Sequence, residues 1–258
     1  MKLTRGLSPS VTHATEIPAA RFGRWLAGCG IAGPVLLILY FGIPALLPRL
    51  GSLTYSGGTP TTAKIVAVGA EYHRLLALGG WMQGTGALLC VVFLLALAQW
   101  SGGTSSLAGR ILLLGCAVLV GLVLTEMLFT FAWANSASQG QPSSARAAYD
   151  LMARFEDVFP MVPAPTVYLA LAAVLATGRP VLPALFTRLA AGLGIGFLII
   201  GLVSVAVPGA DAAAGGLAGL QAVWILAAGI ITLRSSRSRS SRPSSQAAHT
   251  APTFAPRG

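Results

Sequence analysis

The sequence is short of charge, and above all of acid. Charged residues make up 9% of its 258 residues, and only seven are Asp or Glu. Soluble domains carry roughly 25% charged residues, so this chain lacks the polar surface to clothe a globule in water. That excludes an ordinary cytosolic enzyme, a disordered protein and a soluble nucleic-acid binder. Cysteine and histidine are equally scarce, at three each. Cys29, Cys90 and Cys116 lie inside apolar runs without CxxC or metal-ligand spacing. They read as small core residues rather than as a disulfide framework or a metal site. His13, His73 and His249 supply no haem-type pair within an apolar run. Walker A, HExxH and GxSxG sequences are missing, as is an Arg-rich voltage-sensor helix. No catalytic residue, metal or cofactor is therefore assigned. The first 24 residues lack the apolar core of a cleavable signal peptide.

Apolar residues are abundant instead, at 55%, with a mean hydropathy of +0.75. Six stretches are each about 20 residues long, enough to cross a hydrocarbon core of roughly 30 Å as helices. They run approximately Trp25–Leu47, Leu75–Gln99, Ile111–Ala134, Phe159–Thr177, Phe186–Val207 and Ala212–Leu233. The expected fold is all-α, a six-transmembrane-helix bundle over residues 25–233, flanked by tails at 1–24 and 234–258. Pro160, Pro163 and Pro165 crowd the start of the fourth span. They predict a kinked or extended lead-in, with regular helix resuming near Thr166.

Basic residues set the orientation. With the N-terminus inside, Lys2, Arg5, Arg21, Arg24, Arg110, Arg179, Arg188, Arg234, Arg237, Arg239, Arg242 and Arg257 are inside. Arg49, Lys64, Arg74, Arg146 and Arg154 are outside. Glu71, Asp150, Glu156, Asp157 and Asp211 fall outside, and only Glu16 falls inside. The expectation is a multi-pass protein with both termini cytoplasmic. Arg outnumbers Lys, and Ala and Gly are frequent. That pattern fits a GC-rich bacterial genome, hence a bacterial inner membrane.

Two long outer loops share the pattern Gly-x-Pro-[ST]-[ST]-Ala-basic, at Gly58–Lys64 and Gly140–Arg146, offset by 82 residues. Proline and a hydroxyl residue start and cap a short helix. The shared offset relates the first span to the third and the second to the fourth, so the chain reads as three helical hairpins. In the second loop, Ala148, Leu151, Met152, Phe155, Val158 and Phe159 recur at helical spacing. They predict an amphipathic helix on the outer membrane surface. Glycines four apart at Gly80/Gly84, Gly192/Gly196 and Gly215/Gly219 predict close helix contacts. Both tails read as disordered. Arg234, Arg237, Arg239 and Arg242 follow the last span directly, as a topological anchor that also attracts anionic lipid. RNA binding by this Arg-Ser tract is not expected, since no stacking aromatics accompany it.

Glu126 is the one carboxylate inside a span. An ionised residue at a span centre costs about 2.5–3.5 kcal/mol on insertion scales and normally faces protein or water. At 1.5 Å per residue, Glu126 lies about 13 Å below Asn135. Counted from the outer end of each span, Tyr40, Gln83, Tyr168 and Gln221 fall near the same level. Buried polar groups need partners, so these five are expected to form one outer-half polar cluster. His73, beside Arg74, reads as an interfacial anchor.

His73-Arg74-Leu75 opens a Gly/Trp/Gln-containing span. Phe159-Pro160 is followed by Pro163-Ala164-Pro165 and Tyr168-Leu169-Ala170-Leu171, and Gly219-Leu220-Gln221 precedes Trp224. On these residues the chain resembles a bacterial family of uncharacterised multi-pass integral membrane proteins, a domain of unknown function, over residues 25–233. The resemblance implies a membrane domain and carries no activity or catalytic residue. The leading function is small-molecule or ion handling, or sensing, through the cluster around Glu126. The alternative is an accessory or scaffold protein that binds a membrane-protein partner complex. A membrane enzyme ranks third, with Glu126, His73, Tyr168 and Glu156 as its acid–base groups.

Overall fold

A computed structural model describes residues 16–47, 59–207 and 211–240, together with Leu50 and Leu53. Among these the regular structure is helical: α1 (Glu16–Leu46), α2 (Thr62–Glu71), α3 (His73–Trp100), α4 (Leu107–Ser138), α5 (Pro142–Met161), α6 (Pro163–Thr177), α7 (Ala184–Ala206) and α8 (Asp211–Ser240). Six helical segments are long and apolar enough to cross a bilayer, with α5 and α6 counted together. The protein is an all-α, multi-pass membrane protein. Six crossings place the start of α1 and the end of α8 on one face, here the termini face; α2 and the start of α5 lie on the far face.

Local chemistry sets the helix ends. Thr61 accepts a hydrogen bond from the Lys64 amide at 3.3 Å and starts α2. Ser106 accepts from the Gly109 amide at 3.0 Å and starts α4. Pro142 and Pro163 occupy the first turns of α5 and α6, where a missing N–H costs nothing. The expected kink falls at Val162 (φ −127°, ψ −62°), between Pro160 and Pro163. Helix resumes at Pro163 itself, earlier than the expected Thr166. Two prolines within the first turn fit there because neither amide is needed. Helix also outruns the apolar segments at the chain ends, beginning at Glu16 and continuing to Ser240. The expected disorder of residues 16–24 and 234–240 is corrected accordingly. Residues 1–15, residues 241–258 with Arg242, and the Pro208-Gly209-Ala210 turn lie outside the described residues.

The neighbours run α1, α3, α4, α6, α7, α8 and back to α1, with α3 also touching α6 across the ring. The bilayer supplies no hydrophobic drive between helices, so contact depends on close packing of small residues. Gly229 closes the ring: a Cβ there would stand 2.6 Å from the Gly30 carbonyl oxygen. Gly33 packs against Gly86 O and the Cys90 backbone, and Gly115 against Val167. The predicted glycine pairs are realised unevenly. Gly80 and Gly84 both meet α4 side chains and Gly196 meets Leu217, but Gly192, Gly215 and Gly219 have open space beside them. Spacing identifies a face of a helix, not which face finds a neighbour.

The main core joins Phe93, Leu97, Leu112, Val167, Leu171, Phe197 and Ile225 across the ring. A second core forms at the far face. Leu50, Leu53, Ile65, Val68, Trp133, Ala137, Ala145, Ala148 and Tyr149 pack together there. The reason is length: the 32 residues of α4 span about 48 Å, well beyond a ~30 Å hydrocarbon layer. Its last turns stand clear and are covered by α2 and α5. Trp133 donates from Nε1 to Ile65 O at 3.1 Å and meets the Tyr149 ring edge-on. Arg146 donates to Pro60 O at 2.8 Å and to Asp150 Oδ2 at 2.7 Å. The two similar loops therefore dock on each other. The buried stripe of α5 is Ala145, Ala148 and Tyr149, with Met152 partly buried beside them, while Leu151 and Val158 of the expected stripe are exposed. The predicted stripe is thus divided: Ala148 and Met152 pack against protein, while Leu151 and Val158 face outward.

Candidate polar site in the bundle

Buried polar or charged side chains are few among the described residues: Gln83, Ser101, Glu126, Thr130, Gln221 and Thr232. Ser101, Thr130 and Thr232 donate to backbone carbonyls of their own helices or turns. The other three were singled out by sequence, and two of them meet. Gln83 Nε2 on α3 donates to Glu126 Oε1 on α4 at 2.6 Å. The bond follows from the α3–α4 register, because Gly84 packs on Met127 and Leu124, and Gly80 on Phe131 and Met127. Gln83 is thereby held opposite Glu126. The carboxylate is 7% exposed, turned towards protein and away from lipid.

The remaining members are placed differently. Tyr168 is 1% exposed and packs with Phe197 and Trp224 at ring distances of 6.2 and 6.0 Å. Its neighbour Val167 sits against Gly115, eleven residues from Glu126 on α4. The backbone of Tyr168 is thus roughly 16 Å nearer the termini face than that of Glu126. A level shared by all five backbones is corrected on this point. Depth had been counted from Phe159, but α5 carries that crossing further towards the far face. Tyr40 is half-buried, on Phe41 and beside Gly79. Gln221 is 8% exposed on α8, one turn before Trp224.

Depth itself also shifts. Asn135, the reference point, belongs to the turns of α4 that rise into the far-face layer. Counted from Arg110 at the other end, Glu126 lies about 24 Å into a ~30 Å hydrocarbon core, near its far-face boundary.

Three buried side-chain atoms have no hydrogen-bond partner: Gln83 Oε1, Gln221 Oε1 and the Tyr168 hydroxyl. Trp224 joins Tyr168 to α7 and α8. It touches Tyr168 and Phe186, and its Nε1 donates to Phe186 O at 3.0 Å. His73 stands ten residues from Gln83, about 15 Å along α3, and its Nδ1 is bonded with Ala70 O at 3.0 Å. It does not converge with Glu126, so the acid–base constellation required by a membrane enzyme is not assembled from His73. The Glu156 side chain lies outside the described residues. Among the described residues no group of three His, Cys, Asp or Glu could hold a metal.

Comparison with protein-family models, with curated proteins and with solved structures gives no match for this chain.

Proposed function

We propose that this membrane protein handles or senses a small molecule or ion at Glu126, reached from the far face. The observation that carries the reading is the 2.6 Å hydrogen bond between Gln83 and Glu126, buried between two membrane-crossing helices. Interhelical polar contacts in membranes are worth about 0.6 kcal/mol on average and ~1.7 at most. An ionised carboxylate costs about 2.5–3.5 kcal/mol at a span centre and less towards the boundary, where Glu126 lies. Intramembrane acids of this kind mark pathways or binding sites.

Charge asymmetry supports a far face that is extracytoplasmic in a bacterial inner membrane, with both termini cytoplasmic. Arg234, exposed at the end of the last span, begins the stretch that would meet anionic lipid; the Arg237 and Arg239 side chains lie outside the described residues. The resemblance to an uncharacterised multi-pass family belongs to the same proposal and adds no chemistry.

The test is modification of Glu126 by a membrane-permeant carbodiimide in lipid nanodiscs, followed by a pH-dependent flux assay in liposomes. Labelling at Glu126, and flux lost in Glu126→Gln, are expected. Complete resistance of Glu126 to the reagent would contradict the reading. It would favour the alternative, an accessory protein that binds a partner complex. One observation supports that alternative: Leu151, Val158 and Val162 of the α5–α6 segment face outward. A partner retained in mild detergent, and lost when these are changed to serine, would establish it.

A further inference from the structure

We propose that α2 is a hinged lid over Glu126, latched by Trp133, whose opening admits water and solutes from the far face. The proposal rests on the reading of Glu126 as a functional acid and adds how access to it is controlled.

The lid covers the helix faces that carry the buried hydrogen bond. On α4 the buried face runs from Glu126 through Thr130 and Trp133 to Ala137. Trp133 is seven residues beyond Glu126, about 10 Å nearer the far face. Thr130, between them, donates its hydroxyl to Glu126 O at 3.0 Å and so stays against its own helix. On α3, Leu76 stands two turns before Gln83 on the same face, and it packs into the far-face core with Tyr72. Both partners of the 2.6 Å bond therefore lie on faces that lead under α2.

The build of α2 suits it to lift. It has ten residues, fewer than the ~12–15 below which an isolated helix is marginal in water. Its buried residues are Ile65, Val68 and Gly69, so it loses less apolar contact on opening than a spanning helix would. Segments with little apolar burial open at lower cost than the core around them. Tyr72 leaves helical geometry (φ −105°, ψ 17°) before α3 begins at His73, and that single residue is the hinge. The other far-face helix is seated at its end, where Met161 and Pro160 of α5 pack on Gly201 of α7. Thus α2 lifts and α5 stays.

Trp133 is the latch. Its indole is 2% exposed, and its Nε1 donates to Ile65 O at 3.1 Å. A Cβ on Gly69 would stand 2.6 Å from that same nitrogen and 2.7 Å from the Ala137 Cβ. The indole thus holds α2 through a carbonyl, and α2 reaches it only because residue 69 has no side chain. Arg146 and Tyr149 hold the segment before α2 through Pro60 O and Leu53 O, at 2.8 and 3.3 Å. All three bonds are to backbone carbonyls, which water can take over when the lid lifts, without leaving a buried charge unpaired.

The experiment uses the full chain in lipid nanodiscs. Modification of Glu126 by a water-soluble, membrane-impermeant carbodiimide and deuterium exchange of α2 amides are both followed by mass spectrometry. A group reached only through a rapid opening reacts in proportion to the open population. In the parent chain, where no variant is needed, low concentrations of urea are expected to raise both rates in parallel. Trp133→Phe, which keeps a ring and removes the donor, is expected to raise both roughly fivefold, the loss of one neutral hydrogen bond. Gly69→Ala, which forces α2 off the indole, is expected to raise both as well. Faster α2 exchange with an unchanged Glu126 rate would overturn the lid, as would unchanged α2 exchange in both variants. If the membrane-permeant reagent still reacts in those cases, Glu126 remains a functional acid without a lid. A Glu126 that reacts with neither reagent would remove this inference and the reading beneath it together.

Discussion

Gln83–Glu126 and Tyr168–Gln221 place similar chemistry in one bundle with different outcomes. Between α3 and α4, glycines bring the helices close enough for a carboxylate and an amide to meet at 2.6 Å. Among α6, α7 and α8, large rings fill the same interior, and the Tyr168 hydroxyl and Gln221 Oε1 have no protein partner. A buried polar group is satisfied when small residues on the neighbouring helix allow approach. Aromatic neighbours hold it in place through its apolar body instead. The first region is specified by hydrogen bonding, and the second by packing volume.

The largest effect is expected where packing volume dominates. Tyr168→Ala should destabilise the protein by about 3–5 kcal/mol, as truncation of a fully buried aromatic does, read from unfolding in mixed micelles. A loss below ~1 kcal/mol would mean the ring is not the packing centre. Glu126→Leu should cost about 1–3 kcal/mol by leaving the Gln83 amide unpaired, whereas Glu126→Gln, which retains an acceptor, should cost less. Equal costs would remove hydrogen bonding as the distinguishing feature of the α3–α4 region. Trp133→Phe should cost ~1 kcal/mol through the bond to Ile65 O, with faster amide exchange confined to α2. Tyr168→Phe should change stability by less than ~0.5 kcal/mol, since its hydroxyl bonds to no protein group. Arg146→Gln should be smallest: the global transition unchanged, with faster exchange at the α2 N-terminus alone.

The sequence made the solvent of this chain plain. Six apolar runs, too long for core strands and too poor in charge for water, leave few alternatives to a helical bundle. Glu126 stood out for the same reason, and Gln83 was paired with it by depth. The rest was hidden by geometry that spacing does not carry. Tyr168 was misplaced because α5 carries its crossing past Phe159, so counting began from the wrong end. Which residues of the α5 stripe meet protein was hidden because a helix at a membrane surface has two apolar neighbours, lipid and protein, and periodicity cannot separate them. Gly192, Gly215 and Gly219 match the small-residue pattern yet face open space. Trp224 was legible only as an aromatic; its part in joining Tyr168 to α8 depends on a tertiary contact.

The central claim is that Glu126 is sheltered by Gln83 across the α3–α4 interface. A double-mutant cycle of Glu126→Leu and Gln83→Leu, measured by equilibrium unfolding in mixed micelles, tests it most directly. The account predicts a coupling of about 0.6–1.7 kcal/mol, with the double variant more stable than the sum of the single losses implies. Additivity within ~0.3–0.5 kcal/mol would contradict it.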